Sequence, residues 1–145
     1  MDDETLLDQL KNDLQELFDN DAEYNDLTVK TDYEGDEDIS YPCVIIEELL
    51  NTDVQRFYDG TEHVIDVGYQ FTILAEQSAT KDAKTNVRSI INIIKEYMRG
   101  IRYHALHRIG SSPDAALPDD SNIRIGYMRY EGRINIDENI IYRRS

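Results

Sequence analysis

Apolar and polar residues alternate most regularly between Tyr41 and Glu76. From Ile65 to Ala75 every second residue is apolar, and the residues between them are mostly polar. Such a two-residue period predicts an antiparallel strand with one buried face and one wet face. The residues that follow Tyr41 form a second apolar-rich run. We therefore predict a β-hairpin over 41–76 whose two strands are longer than typical strands.

The two strands are predicted to meet at Asp59-Gly60. An Asp-Gly pair between apolar and alternating residues favours a type I′ turn, because both central residues need a positive φ. A two-residue turn there places Arg56 opposite His63. The tip is expected to project beyond the domain, where Phe57 and Tyr58 have little core to enter. Either the two rings stack on each other, or they dock on a neighbouring copy, since interfaces are enriched in aromatic residues and Arg.

Two segments have the three- and four-residue apolar spacing of amphipathic helices. The first helix is predicted within 1–20. The second is predicted over 82–103, with Asp82 or Thr80 as its N-cap, a stop signal at Gly100 and a short extension beyond it. The apolar stripe of the first helix contains Leu6, Leu7, Leu10, Leu14, Leu17 and Phe18. That of the second contains Ala83, Val87, Ile90, Ile91, Ile94, Tyr97 and Met98.

The rest of the chain predicts shorter strands and loops. A short alternating run at Leu27–Thr31 predicts a first strand within the acidic loop region over 19–40. The segment 104–120 contains Gly and two Pro residues and is predicted to be a loop. C-terminal strands are predicted over 122–144. Their apolar phase flips near residues 126–128, which predicts a β-bulge.

These elements predict an α+β fold in one domain over 1–145. We expect a mostly antiparallel β-sheet with a long projecting hairpin and two α-helices packed on it. The second helix is expected to lie across the apolar face of the hairpin, through Tyr69, Phe71 and Ile73.

Charge is distributed unevenly along the chain, whose formal net charge is −15. The first 38 residues contain fifteen Asp or Glu against two Lys, whereas the residues from Arg99 onward contain eight Arg against six acidic residues. A nonspecific nucleic-acid binder needs a basic footprint, so this charge argues against that class. The acidic run is either a solvated face or one half of a head-to-tail contact between copies.

The C-terminal arginines are candidates for the basic half of such a contact. Arg129, Arg133, Arg143 and Arg144 are expected to meet the acidic N-terminal third of another copy. A head-to-tail contact of this kind closes a ring when the rotation between copies allows it.

Candidate catalytic and cofactor sites are weak. The acidic segment lacks the spacing of a twelve-residue calcium loop, and His104 and His107 lack a third metal ligand at convincing spacing. Glu47 and Glu48 are adjacent, so on a strand they face opposite ways and do not form a carboxylate pair. Gly110-Ser111-Ser112 lacks the surroundings of a nucleophile elbow. We therefore expect no enzyme, metal or cofactor.

Membrane-spanning proteins and proteins with a signal peptide are also disfavoured as classes. The sequence contains no apolar run of membrane-spanning length, and its acidic start is unlike a signal peptide. Cys43 is the only cysteine, which excludes an internal disulfide and is most simply explained as a small buried residue. We expect no membrane partner.

The order of motifs resembles the tail terminator (tail-completion) proteins of tailed bacteriophages. After an N-terminal helix come YPCVIIEEL, a polar hairpin, VIDVGYQFTILAE and the helix through TNVRSIINIIKEYM. A Pro-containing loop then leads to ALPDDSNIRIGYMRYEGRINIDENIIYRR, which is similar to the family's "RYEG" strand and closing "IYRR". The resemblance covers roughly Tyr41 to Arg144, while the acidic segment from Asp19 to Asp38 departs from it.

The resemblance implies a structural virion protein at the head-tail junction, assembled in the host bacterial cytoplasm. Such proteins form a homohexameric ring that caps the tail tube, stops its polymerisation and meets the head-side connector. Genomic DNA passes through the bore, and acidic walls would keep DNA from adhering during ejection. Assembly contacts are then expected at Arg56, Phe57, Tyr58, Asp59 and Gly60 of the hairpin tip, besides the C-terminal arginines.

Two alternatives remain at the sequence level. The first is another neck protein, such as a head-completion or minor tail protein of similar fold. The second, from a different class, is an acidic DNA-mimic inhibitor, which the net charge suggests and the Arg-rich C-terminal third opposes.

Overall fold

The structure is a computed structural model with an α+β fold, as predicted. It describes residues 6–31, 41–56, 63–78, 82–100, 103, 106–117, 120–135 and 140–142. The elements are α1 (Leu6–Asp19), β1 (Thr28–Thr31), β2 (Cys43–Arg56), β3 (His63–Glu76), α2 (Ala83–Met98), β4 (His107–Leu117), β5 (Asp120–Asn135) and β6 (Ile140–Tyr142). The described strands form one sheet in the order β1-β2-β3-β5-β4, and β6 pairs with β5 beyond the end of β4. β1 and β2 pair in parallel, and the other neighbours pair antiparallel.

Both helices pack on one face of the sheet. Every second residue of β3 from Ile65 to Ala75 is buried on this face, which confirms the face predicted from the alternation. The apolar stripe of α2 is also confirmed, except that Tyr97 is only partly buried. α1 contributes Leu10, Leu14 and Phe18 to the same core. Because the helices cover only one face of the sheet, β3 keeps a two-residue period that is readable in the sequence.

β2 and β3 pair along their whole length, although with two irregularities. The register shifts between Glu48 and Leu50 and again between Asp53 and Gln55, so β2 contains two bulged positions. The last pair is Arg56 with His63, the pair expected from a turn at residues 59–60. Residues 57–62, including the predicted tip, lie outside the described residues, so the projecting turn stays a prediction.

The loop prediction for 104–120 is wrong, because His107–Leu117 forms β4. This strand lies at the end of the sheet order, and its register with β5 shifts around Ile109 and again around Pro113 and Asp114. An edge strand needs only one set of ladder hydrogen bonds, so it tolerates a proline and bulges that an inner strand does not.

The bulge predicted near residues 126–128 is also wrong. β5 pairs with β3 without a shift from Ile123 to Asn135. The apolar phase flips because β5 is buried on different faces at its two ends. Met128 and Tyr130 face the helices, whereas Ile123 and Ile125 join a second cluster on the opposite face.

α2 ends earlier than the predicted 103. Its last residue is Met98, and the Gly100 amide donates to the Tyr97 carbonyl at 3.0 Å. A Cβ at Gly100 would lie 3.1 Å from that carbonyl oxygen, so glycine permits this close turn. Tyr103 is fully buried, and its hydroxyl donates to Asp13 on α1 at 2.5 Å. This contact holds Tyr103 against α1.

The N-terminus of α2 is capped differently from the prediction. Asp82 occupies the N-cap position, but its side chain makes no capping hydrogen bond. Instead, the Ala83 amide donates to Oε1 of Gln77 at 2.9 Å, just beyond the end of β3. Asp82 accepts from the Thr85 hydroxyl at 2.6 Å. Thr80 lies outside the described residues.

Candidate interaction surfaces

The predicted contact residues lie in different parts of the structure. Arg129 and Arg133 are described, and both lie on β5 with exposed side chains. Arg56 ends β2. Phe57, Tyr58, Asp59, Gly60, Arg143 and Arg144 lie outside the described residues. The structure therefore places two of the predicted arginines on one surface, and the proposed role of the hairpin tip stays a prediction.

Arg129 and Arg133 lie on the face of the sheet opposite the helices, which we call the helix-free face. The Arg133 guanidinium contacts Asp66 on β3, with Nε 3.1 Å from Oδ1 and Nη2 3.5 Å from Oδ2. This hydrogen-bonded pair raises the pKa of Arg133. Arg129 donates to the Gln70 side chain at 3.3 Å. Both arginines therefore form cross-strand contacts within the chain.

One end of the helix-free face is apolar. Cys43, Leu74, Ile123 and Ile125 form a buried cluster there, with Tyr41 and Ile45 packed against it. Cys43 is fully buried, as predicted, and burial raises the pKa of its thiol to about 11. Its thiol is therefore protonated at neutral pH.

A basic cleft lies at the C-terminal end of α2, and sequence reasoning did not predict it. The basic cleft is a depression of about 330 Å³ whose charged or ionisable lining residues are Lys95, Arg99, His107 and Arg108. Tyr130 of β5 also lines it. Desolvation, and then the nearby Arg108 and Arg99, lower the pKa of Lys95. The only sequence signal for this cleft was the pair Lys95 and Arg99, which are four residues apart on one helix face. Arg108 lies beside them because the segment that contains it forms β4.

An acidic surface lies at the C-terminal end of α1. The acidic surface consists of the exposed carboxylates Glu16, Asp19, Glu23 and Asp26, at the end of α1 and in the turns that follow it. No Lys or Arg occurs between residues 12 and 29. The last turn of α1 has no basic residue, so nothing in that turn offsets the negative end of the helix dipole.

The structure also exposes three apolar side chains that the sequence did not predict to be exposed. Leu49 occupies one bulged position of β2, Ile109 occupies one of β4, and Tyr127 lies on β5. A bulge turns a side chain away from the regular alternation. These three residues therefore add apolar contact area to otherwise polar parts of the surface.

Candidate catalytic and metal-binding residues are not brought together in the described part of the chain. Glu47 pairs with Gln70 and Glu48 with Tyr69, so the two carboxylates face opposite sides of the sheet, as predicted. Among the described residues, no three His, Cys, Asp or Glu side chains form a group able to hold a metal ion. His104 lies outside these residues. No described helix is both long enough and apolar enough to cross a membrane.

Comparison with known proteins adds no family assignment. No protein-family model matches the chain, and no curated protein matches it significantly.

Proposed function

We propose that this chain is a tail terminator of a tailed bacteriophage. It would be a structural virion protein that forms a hexameric ring at the head-tail junction, caps the tail tube and joins it to the head-side connector. The proposal starts from the ordered motifs between Tyr41 and Arg144 and from their similarity to that family.

The observation that carries the proposal is the layered architecture. The resemblance implies a mostly antiparallel sheet with two helices packed on it, and the described residues have this arrangement with both helices on one face. The layout leaves the helix-free face without a described helix on it, and β4 is the last strand in the order of the described sheet. A ring subunit needs two different surfaces for its two neighbours and further surfaces for the tube and the connector.

Charge also supports the proposal. A net charge of −15 repels the DNA that passes through the bore, so DNA would slide without adhering. A solution-state DNA-mimic inhibitor would need negative charge over one binding face. Arg129 and Arg133 interrupt the helix-free face with positive charge, so this face is unsuited to DNA mimicry.

The function is tested by a tube-capping assay. The full chain is added to polymerising tail tubes of the same phage, and tube length and ends are measured by negative-stain electron microscopy. We expect tubes of limited length with a ring of density at one end. Tubes that continue to elongate and show no extra terminal density would contradict the proposal.

The hairpin tip is tested in the same assay with Phe57→Ser/Tyr58→Ser. We expect a folded monomer that neither forms rings nor caps tubes. Tyr127→Ser is the matched control, because it removes one exposed aromatic ring from the described surface without touching the tip. Normal capping by the tip variant would show that the tip is not an assembly contact.

A further inference from the structure

The side-chain amide of Gln15 on α1 binds the backbone at β1. Its Oε1 accepts from the Val29 amide at 2.8 Å, and its Nε2 donates to the Leu27 carbonyl at 2.9 Å. Nε2 also donates to Oδ1 of Asp19, one helical turn further along α1, at 3.0 Å. The amide oxygen and both amide hydrogens are therefore used, which fixes the orientation of this side chain.

The two backbone contacts reproduce one step of a parallel β-ladder. In such a ladder, a residue donates its N–H to the carbonyl of one residue on the neighbouring strand and accepts from the N–H two residues further on. Leu27 and Val29 are two residues apart, and the Gln15 amide makes both contacts in this sense. The side chain of a helix thus fills the place that a residue of an additional strand would occupy.

β1 is an edge at which such a strand would be added. It is the first strand in the order of the described sheet, and it pairs with β2. Successive amides of a strand point to its opposite sides, so the Val29 amide, which binds Gln15, points away from β2. The unpaired groups of an edge strand are a template for pairing with another chain. The Gln15 amide therefore occupies groups that a second chain would otherwise use.

The two edges of the described sheet differ in regularity. The register of β4 with β5 shifts around Ile109 and again around Pro113 and Asp114, and bulges and proline hinder pairing at an edge. β1 pairs with β2 in register along all four of its residues, Thr28–Thr31. Its regular backbone would accept a further strand, and β1 is protected instead by its short length, by Lys30 and by the Gln15 contact.

We propose that the Gln15 side chain blocks the β1 edge against strand addition by a second copy of this chain. The strand that would add is β1 of that copy, because loss of the amide opens the same edge in both copies and a twofold axis then pairs one edge with the other. With the amide in place, assembly of the chain has to use other surfaces. This inference goes beyond the proposed function and does not depend on it.

The test is hydrogen exchange at the Val29 amide, measured by mass spectrometry at several protein concentrations. In the unmodified chain this amide should exchange slowly at every concentration, although it points away from the sheet. In Gln15→Ala it should exchange at least tenfold faster in dilute solution, because its acceptor is gone. At high concentration its exchange should slow again, because β1 of a second copy pairs with the open edge. Sedimentation velocity should show a doubling of mass over the same range.

A second variant and a matched control separate the edge from stability. Gln15→Leu keeps a side chain of similar length and good helix propensity, so it removes the amide with little change to α1 and should behave like Gln15→Ala. The control is Gln77→Ala, because the Gln77 side chain also accepts from a backbone amide, that of Ala83 at 2.9 Å, in a bond that does not involve β1. The Val29 amide of this control should stay slow at every concentration.

Two results would show that the Gln15 contact does not close the edge. The first is fast exchange at Val29 in the unmodified chain, which would mean that the contact is not made in solution. The second is slow exchange in both Gln15 variants in dilute solution, which would mean that another group protects the Val29 amide.

Three further results would refute the pairing with a second copy. Exchange that stays fast at every concentration in both Gln15 variants would show an open edge that no second copy uses. Growth beyond a doubling of mass would contradict the pairing of two β1 edges. The same concentration dependence in Gln77→Ala would show that lost stability, and not the open edge, causes the association.

Discussion

Replacing either of two buried tyrosines by Phe should change the free energy of unfolding, but in opposite directions. Tyr69 and Tyr103 are both fully buried, at 0% exposure. The Tyr69 hydroxyl has no hydrogen-bond partner in the described part of the chain. Burial, with Glu48 opposite on β2, raises the pKa of Tyr69, so its hydroxyl keeps its proton. The Tyr103 hydroxyl, in contrast, donates to the Asp13 carboxylate.

The magnitudes follow from the hydrogen-bond partners. An unsatisfied buried donor costs about 1–3 kcal/mol, and a hydrogen bond to a charged group contributes about 1.5–3 kcal/mol. Tyr69→Phe removes the unsatisfied hydroxyl together with the packing of one oxygen atom. It should therefore raise the free energy of unfolding by about 1 kcal/mol. Tyr103→Phe removes the bond to Asp13 and should lower it by about 2 kcal/mol.

Urea unfolding measures this difference, with far-UV circular dichroism as the probe because the chain contains no Trp. The two variants should differ by about 3 kcal/mol at unchanged urea dependence. For a chain of this size that difference corresponds to melting temperatures about 6–12 °C apart. If Tyr69→Phe destabilised the protein as much as Tyr103→Phe does, the Tyr69 hydroxyl would have a partner in solution and the reasoning would be refuted.

Substitutions at three further places test other contacts. Gln77→Ala removes the acceptor for the first amide of α2 and should lower the free energy of unfolding by about 1 kcal/mol in the same urea assay. Asp82→Ala should lower it by less. Equal effects of the two substitutions would contradict the assignment of Gln77 as the cap. Burial raises the pKa of Cys43 from 9.0 to about 11, so the native thiol should resist a thiol reagent at pH 8. The stability from its neutral form should be complete below pH 9 and be lost as pH rises toward 11. This fall should be smaller in Cys43→Ala, in which only the buried tyrosines, whose pKa values burial also raises, still lose stabilisation at high pH; rapid native modification would show an accessible thiol. Asp66→Asn should change the melting temperature little, because its pair with Arg133 is partly exposed to solvent; a large, salt-sensitive drop would contradict this.

The packed face of the sheet was predictable because burial there is one-sided. In β3, alternate residues meet the helices, and in α2 the stripe from Ala83 to Met98 meets the sheet. One-sided burial leaves a period of two in strands and of three to four in helices. The fold class and the positions of α1, β1 and α2 followed from these periods.

Two strands were misread for different physical reasons. β4 lies at an edge and contains Gly110, Ser111, Ser112 and Pro113, so its sequence has no apolar alternation. β5 is packed on opposite faces at its two ends, and this change of face imitates a bulge. In both cases the neighbours in the sheet determine the pattern, and a local window of sequence does not contain them.

The candidate surfaces depended on the same long-range contacts. Arg129 and Arg133 share a face because they are four residues apart on one strand, which the sequence predicts directly. The basic cleft brings Lys95 together with Arg108 across the boundary between α2 and β4, and it appears only once β4 is placed in the sheet. The contact between Tyr103 and Asp13 spans 90 residues and has no local sequence signal.

The central claim is that copies of this chain form a ring on the end of a tail tube. Native mass spectrometry of the purified chain, combined with negative-stain imaging of the same sample with and without tail tubes, tests this claim most directly. We predict a species of about 101 kDa, which corresponds to six copies of the 16.9 kDa chain, and rings of matching size on tube ends. A chain that stays monomeric at every concentration and leaves tube ends bare would contradict it.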